Sequence, residues 1–263
     1  MASYSSADLG SPKGVVISAE GKEKCGKTWN VLHTAPHPLV YISCDRDNRR
    51  AVKAARLAGR EILWSGQYLF VPSPKMLHVA GQKDDDDVLI ENGKRMAPLW
   101  NAIHRDYMEA LKDPKVVTVV LDSGSAAYDM ARIKCFGKVN GVGIFKYTKT
   151  NAIFEELLMA AQTSEKVVIL IHRLEDEWGK SVDAQGKESN TKTGNSIAAG
   201  YRDINYKVDA VVRHFKGENG FRAKLMCEGV GRNDLSGKVF SGEEMDYRRI
   251  VAKLTRTKVE KWL

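Results

Sequence analysis

Eight consecutive residues, Gly21-Lys22-Glu23-Lys24-Cys25-Gly26-Lys27-Thr28, constrain this chain more than anything else in it. They match G-x-x-x-x-G-K-[ST] in full. They directly follow an apolar run, Val15-Val16-Ile17, and directly precede a helical segment that Pro36 and Pro38 stop. Glycines let such a loop wrap so that successive N–H groups point at a phosphate, and the helix behind it adds its positive end. A loop of this kind needs a strand beneath it and a helix behind it, so the chain must be α/β. The predicted nucleotide contacts are these eight residues with Trp29. Lys27 would reach the β- and γ-phosphates of ATP, and the Thr28 hydroxyl would ligate Mg²⁺.

The rest of the pattern agrees with that class. Leu39 to Cys44 reads as a second buried strand, followed by a basic helix from about Asn48 to Leu57 that ends at Gly59. Strand, helix, strand, helix is the signature of a parallel sheet covered on both faces. From Glu61 to Lys94 the pattern degrades into what reads as an insertion, whose acidic run Asp84 to Asp87 suits a solvated loop better than a metal site. Met96 to Leu111 has helical spacing, with Leu99, Ile103, Tyr107 and Leu111 on one face. Further helices are expected at Ala126 to Ile133 and Asn151 to Gln162, and buried strands at Val116 to Leu121 and Val167 to Ile171. A long polar segment follows from Arg173 to Gly200. Val208 to Phe215 and Phe221 to Cys227, joined by a glycine-bearing turn, read as a β-hairpin. This divides the chain into a short polar segment at 1–13, a core at 14–242 with an insertion at 61–94, and a basic helix at 243–263.

At 263 residues and 43% apolar content, the chain can bury one substantial core. No apolar run is long enough to span a bilayer, and Met1 to Pro12 has no hydrophobic stretch of the kind a secretion signal needs. Cys25, Cys44, Cys135 and Cys227 are scattered without C-x-x-C pairing, as expected of reduced thiols in a cytoplasmic protein. The net charge of +8 fits a polyanionic partner and equally fits simple solubility.

A phosphate loop also needs a carboxylate at the end of a nearby strand to hold the magnesium. Val116 to Asp122, followed by Ser123, supplies it, and Asp122 could cap the next helix as well. Hydrolysis needs a second carboxylate to orient water. Asp45 and Asp47 stand just past the second strand, where a parallel sheet opens beside the loop, and Asp45 is the better placed.

A phosphate loop, an acidic residue after the second strand, an apolar strand ending Asp-Ser, a strand ending on a polar residue and a terminal hairpin together resemble the RecA/Rad51-like ATPase core. More narrowly, they resemble the short phage-encoded RecA-like single-strand annealing and recombination proteins. The resemblance covers roughly Gly14 to Phe240. It implies a RecA-like P-loop NTPase fold with a mostly parallel central sheet, flanking helices and a C-terminal hairpin. It implies that Asp45 is the catalytic carboxylate, although the family commonly has Glu there. It places His172 as the polar sensor after its strand, where a structural histidine is the alternative. It makes the loop Lys134 to Lys149 and the segment Arg173 to Gly200 the two DNA-binding loops, with Lys134, Lys138, Phe145, Lys146, Tyr147, Lys149, Arg173 and Lys180 as contacts. Cations with interleaved aromatics suit a single strand. It assigns Arg232 as a cation delivered into a neighbouring subunit's site, with Lys24 as a rival acting in cis. The implied partners are single-stranded DNA, further copies of the chain in a ring or filament, and phage or host replication and recombination proteins. Alternatives are a helicase-like motor or loader and a nucleotide-dependent protein-binding switch.

Overall fold

Runs of Val, Ile and Leu with no polar face form strands that must be covered on both sides, and the chain supplies a helix after most of them. The computed structural model describes residues 14–44, 48–69, 86–141, 144–182, 188–218, 220–228 and 233–263. In chain order the elements are β1 (Val15–Gly21), α1 (Lys27–Thr34), β2 (Leu39–Ser43), α2 (Arg49–Leu57), β3 (Ile62–Gln67), α3 (Asp86–Lys112), β4 (Thr118–Asp122), α4 (Gly124–Phe136), α5 (Thr148–Thr163), β5 (Val167–Val182), β6 (Glu188–Ala198), α6 (Ile204–Lys207), β7 (Ala210–Gly217), β8 (Gly220–Glu228), β9 (Val239–Ser241) and α7 (Tyr247–Thr255).

The sheet runs β3-β2-β4-β5-β1-β7-β8-β9, parallel from β3 to β7 and antiparallel beyond it. The β7–β8 pair is the hairpin expected from the sequence. This is the α/β, mostly parallel, helix-flanked architecture that the RecA-like reading requires. The strand ending in Asp122 is not beside the phosphate-loop strand, because β5 lies between them. Register then aligns the carboxyl ends: Asp122 sits opposite Ile171, and Glu20 opposite His172.

Alternate residues of each central strand feed two separate cores. Ile17, Tyr41, Val120 and Ile169 pack under α1, α2 and α7. Val16, Ile42, Val119 and Val168 pack under α3, α4 and α5. Most of these side chains are fully enclosed, and burying each stabilises the fold by about 1.5–3 kcal/mol.

The structure departs from the sequence reading in several places. The expected loop Lys134 to Lys149 begins inside α4 and ends in a 3-10 turn at Ile144–Tyr147 and the first turn of α5, and the expected helix at 243–263 is confined to α7, between two 3-10 turns. Ile62–Gln67, inside the expected insertion, is edge strand β3, with a single buried residue, Ile62. Helix α3 starts ten residues early, at Asp86 rather than Met96, so Asp86 and Asp87 open a helix instead of lying in a loop. Acidic groups there complement the helix's positive end. The largest difference is Arg173 to Gly200. It is not a loop: β5 continues past the sheet to Val182 and pairs antiparallel with β6, forming a two-stranded arm. Residues 188–195 of β6 are all exposed, so the arm has no buried face to reveal itself by alternation. Among the described residues no helix is long and apolar enough to cross a membrane.

Candidate nucleotide site

β1 ends at Gly21, and the chain turns over the sheet edge into α1. A Cβ at Gly21 would lie 2.5 Å from the Cys25 Sγ and 2.6 Å from the His214 carbonyl oxygen, so only glycine fits. Lys24 (φ 57°) and Gly26 (φ 83°) are left-handed, which curls the backbone into a cup. Gly26 caps α1 with no side-chain hydrogen bond. The first N–H groups of the helix, from Lys27 on, have no carbonyl within it to accept them. Cys25 is buried beneath the loop, while Lys22, Glu23 and Lys24 are exposed. Trp29 is 54% exposed and stacks on His33.

The Lys27 ammonium donates to the carbonyl oxygens of Gly21 (2.7 Å) and Lys22 (2.8 Å), folded onto the loop's own backbone. The Thr28 hydroxyl donates to Asp122 Oδ2 at 2.6 Å. That oxygen also accepts from the Tyr41 hydroxyl (2.7 Å) and Asn48 Nδ2 (3.3 Å). Burial, then the adjacent Asp122 charge, hold the Tyr41 phenol far above its ordinary range, so it stays a donor. Tyr41 and Asn48 were not singled out in the sequence. A tyrosine inside an otherwise aliphatic strand end, needing a partner for its hydroxyl, was the available signal.

These residues suit a magnesium nucleotide. A hydroxyl and a carboxylate at 2.6 Å, beside uncapped helix N–H groups, form a small oxygen donor set next to an anion cradle. Mg²⁺ characteristically takes one or two protein oxygens and completes its shell with phosphates and water. Among the described residues no group of three or more His, Cys, Asp or Glu side chains could hold a metal alone.

No family model matches the sequence, and no curated protein does. Among solved structures, the flagellar accessory protein FlaH from Methanocaldococcus jannaschii is similar at 15% identity, covering 88% of this chain and 87% of its own, with a TM-score of 0.37. That is too loose a likeness to carry function across, and the fold rests on the strand order above.

His172 lies on the opposite face of the sheet from the Thr28–Asp122 contact. It is fully buried, and its Nδ1 is 2.9 Å from Ser18 Oγ. Its Nε2 is buried without a hydrogen-bond partner and stands 2.5 Å from where a Cβ on Gly124 would be. Burial lowers its pKa to about 4, so the ring is neutral at pH 7. Ser18 also reaches Glu20 Oε1 at 3.5 Å, and Arg213 pairs with Glu20 Oε2 at 2.8 Å. Burial raises the Glu20 pKa, with Arg213 opposing. Glu20 and Arg213 were missed in the sequence, yet each is a charge inside an apolar strand, and buried charges must be paired. On the nucleotide side, His214 lies under the loop with Nε2 2.8 Å from the Tyr247 hydroxyl, and burial lowers its pKa to about 3.

Asp45 and Arg232 lie outside the described residues, as does the side chain of Phe145. Lys134 is on the last turn of α4, bonded to Asn101 Oδ1 at 3.2 Å and set over the Trp100 ring, so it joins α4 to α3. Tyr147 accepts from Arg132 Nη2 at 2.7 Å. Lys146 and Lys149 are exposed, and Lys138 follows the end of α4. The Arg173 guanidinium lies 3.4 Å from Asp129, and Lys180 pairs with Glu188 across the arm at 2.7 Å. A cleft of about 790 Å³, lined by Tyr128, Arg132, Tyr147, Asn151 and Arg173 among others, opens between these elements.

Proposed function

We propose that this chain is a magnesium-dependent ATPase that binds single-stranded DNA and acts in recombination or annealing, with turnover that depends on self-assembly. One observation carries the nucleotide half: the Thr28 hydroxyl and the Asp122 carboxylate meet beside an uncapped helix start, with Lys27 held over the same loop. Magnesium bound there would neutralise phosphate charge.

The chain's own groups supply the remainder. Lys27 swings from two backbone carbonyls, which are weak partners for an ammonium, to phosphate oxygens, which are strong ones. The loop N–H groups bind the same oxygens. Tyr41 and Asn48 fix the Asp122 carboxylate so that its orientation does not depend on the ligand. Asp45 would orient the attacking water, and Arg232 would enter a neighbouring copy's site. His172, buried behind Gly124 with Nδ1 on Ser18, would serve as the polar sensor only through its neighbours and not by touching phosphate itself. The DNA half is supported by the exposed Lys146 and Lys149 and by the aromatic and arginine lining of the nearby cleft.

The test is ATP turnover against protein concentration, with and without single-stranded DNA. Turnover per subunit should rise with concentration and with DNA, and Lys27→Ala should abolish it. Turnover that is flat in both variables removes the DNA and assembly parts, and turnover retained in Lys27→Ala removes the site.

A further inference from the structure

The two helical layers differ in charge. Helices α1, α2 and α7, over one face of the sheet, contain eight Lys and Arg and no Asp or Glu. Helices α3, α4 and α5, over the other, contain seven Lys and Arg against eight Asp and Glu. Only Lys27 of the eight belongs to the nucleotide site. Arg49, Lys53 and Arg56 on α2 recur at the four- and three-residue spacing that lines one side of a helix, and Arg249, Lys253 and Arg256 repeat that spacing over α7 and its cap. Val52 and Ala55 of α2, and Ile250, Val251 and Leu254 of α7, pack into the core against the sheet. Helix α1 packs on both neighbours and presents the stacked pair Trp29 and His33. Lys258 and Lys261 extend the basic character beyond α7.

We infer that the α2–α1–α7 layer is a polyanion-binding surface whose ligand is the phosphate backbone of a nucleic acid, separate from the loops after β4 and β5. Arg50, Lys53, Arg256 and Lys258 are exposed, and none forms an ion pair among the described residues. Arg248 and Arg249 are paired with Asp246 and Glu243, and Glu244 and Glu260 lie close to α7 in the chain, so the cations offered to a ligand are Arg50, Lys53, Arg256 and Lys258, which attract condensed phosphate charge and release its counterions. A protein interface of useful affinity needs a buried apolar centre. The large apolar side chains exposed on these three helices are only Trp29 and Leu57, so the layer suits a strand of phosphates better than a second folded surface. Trp29 adds a flat face on which a base can stack.

The experiment measures binding of labelled single-stranded DNA against salt for the full chain and for Arg50→Gln/Lys53→Gln/Arg256→Gln/Lys258→Gln. Each phosphate neutralised contributes about 0.7 to the slope of log affinity against log salt on a single strand, so the variant should lose about 2 to 3 from that slope. Its DNA-free ATP turnover should be unchanged. The α2 pair and the α7 pair, changed separately, should each remove about half of the effect, which guards against a folding defect in the fourfold variant. Arg50→Lys/Arg256→Lys should keep the wild-type slope. Lys146→Gln/Lys149→Gln tests the loops independently and should leave a salt-dependent component that the layer supplies. An unchanged slope in the separate pairs overturns the inference. Loss of self-association by sedimentation with the slope intact also overturns it, assigning the face to contacts between copies.

Discussion

Two buried polar groups stand side by side on adjacent strands, β4 and β5, on opposite faces of one sheet. Asp122 ends β4 and has one oxygen receiving donors from Thr28, Tyr41 and Asn48. His172, one register step further along β5, has one nitrogen on Ser18 and the other with no partner. On the first face a charged group is held rigidly by neutral donors, so the surroundings are arranged for a cation before one arrives. On the second face a neutral ring is held by shape, with Gly124 pressed against it. The same sheet edge therefore offers an electrostatic site on one side and a steric one on the other, and substitutions should fail differently on each.

The largest expected effect is on the electrostatic side. Asp122→Asn should lower magnesium-dependent ATP turnover on the order of 10²–10³-fold, the scale of losing one preorganised charge stabiliser, while circular dichroism remains native. Turnover within a few-fold of wild type would break the distinction between the faces. Next, Arg213→Ala strands the Glu20 carboxylate in a buried position and should destabilise the chain by about 3 kcal/mol in urea unfolding. Glu20→Gln in the same chain should restore much of that loss. Gly124→Ala should cost about 1–3 kcal/mol through overpacking against His172. The penalty should shrink in a His172→Ala background, since the ring is what the new methyl meets. A penalty that persists there would make Gly124 a backbone requirement instead.

How much of this was legible depends on where each constraint lies in the chain. The phosphate loop and Asp122 were readable because each sits in a contiguous motif at the end of an apolar strand. The β5–β6 arm was not, because a strand exposed on both faces has no two-residue apolar alternation, and Glu188 to Asn195 is polar throughout. Edge strand β3 buries only Ile62 and carried as little signal. The Arg213–Glu20–Ser18–His172 contacts join residues as much as 193 positions apart, and only the β1–β5 and β1–β7 registers bring them together.

The pH response sharpens the steric side. His172 and His214, with pKa lowered to about 4 and about 3, bind fewer protons folded than unfolded as pH falls from 6.5. Stability is full above 6.5 and declines toward pH 4, partly offset by Glu20, whose raised pKa acts in the opposite sense. His172→Gln should flatten that decline in thermal unfolding scans, and an unchanged slope would mean that the ring titrates normally. The smallest effect is at the edge of the electrostatic face. Tyr41→Phe removes a donor to Asp122 Oδ2 and should cost about 1 kcal/mol of stability.

β5 runs without a break from the middle of the sheet to the tip of the arm, so side chains on the outer half inherit their facing from the inner half. Spacing along it counts in twos. Adding a pair of residues near the tip would lengthen the projection and leave Trp178 looking the same way, whereas one residue added just beyond Arg173 would turn every outward side chain over while leaving the centre of the sheet undisturbed. Odd and even insertions in this stretch should thus behave as two distinct classes of variant.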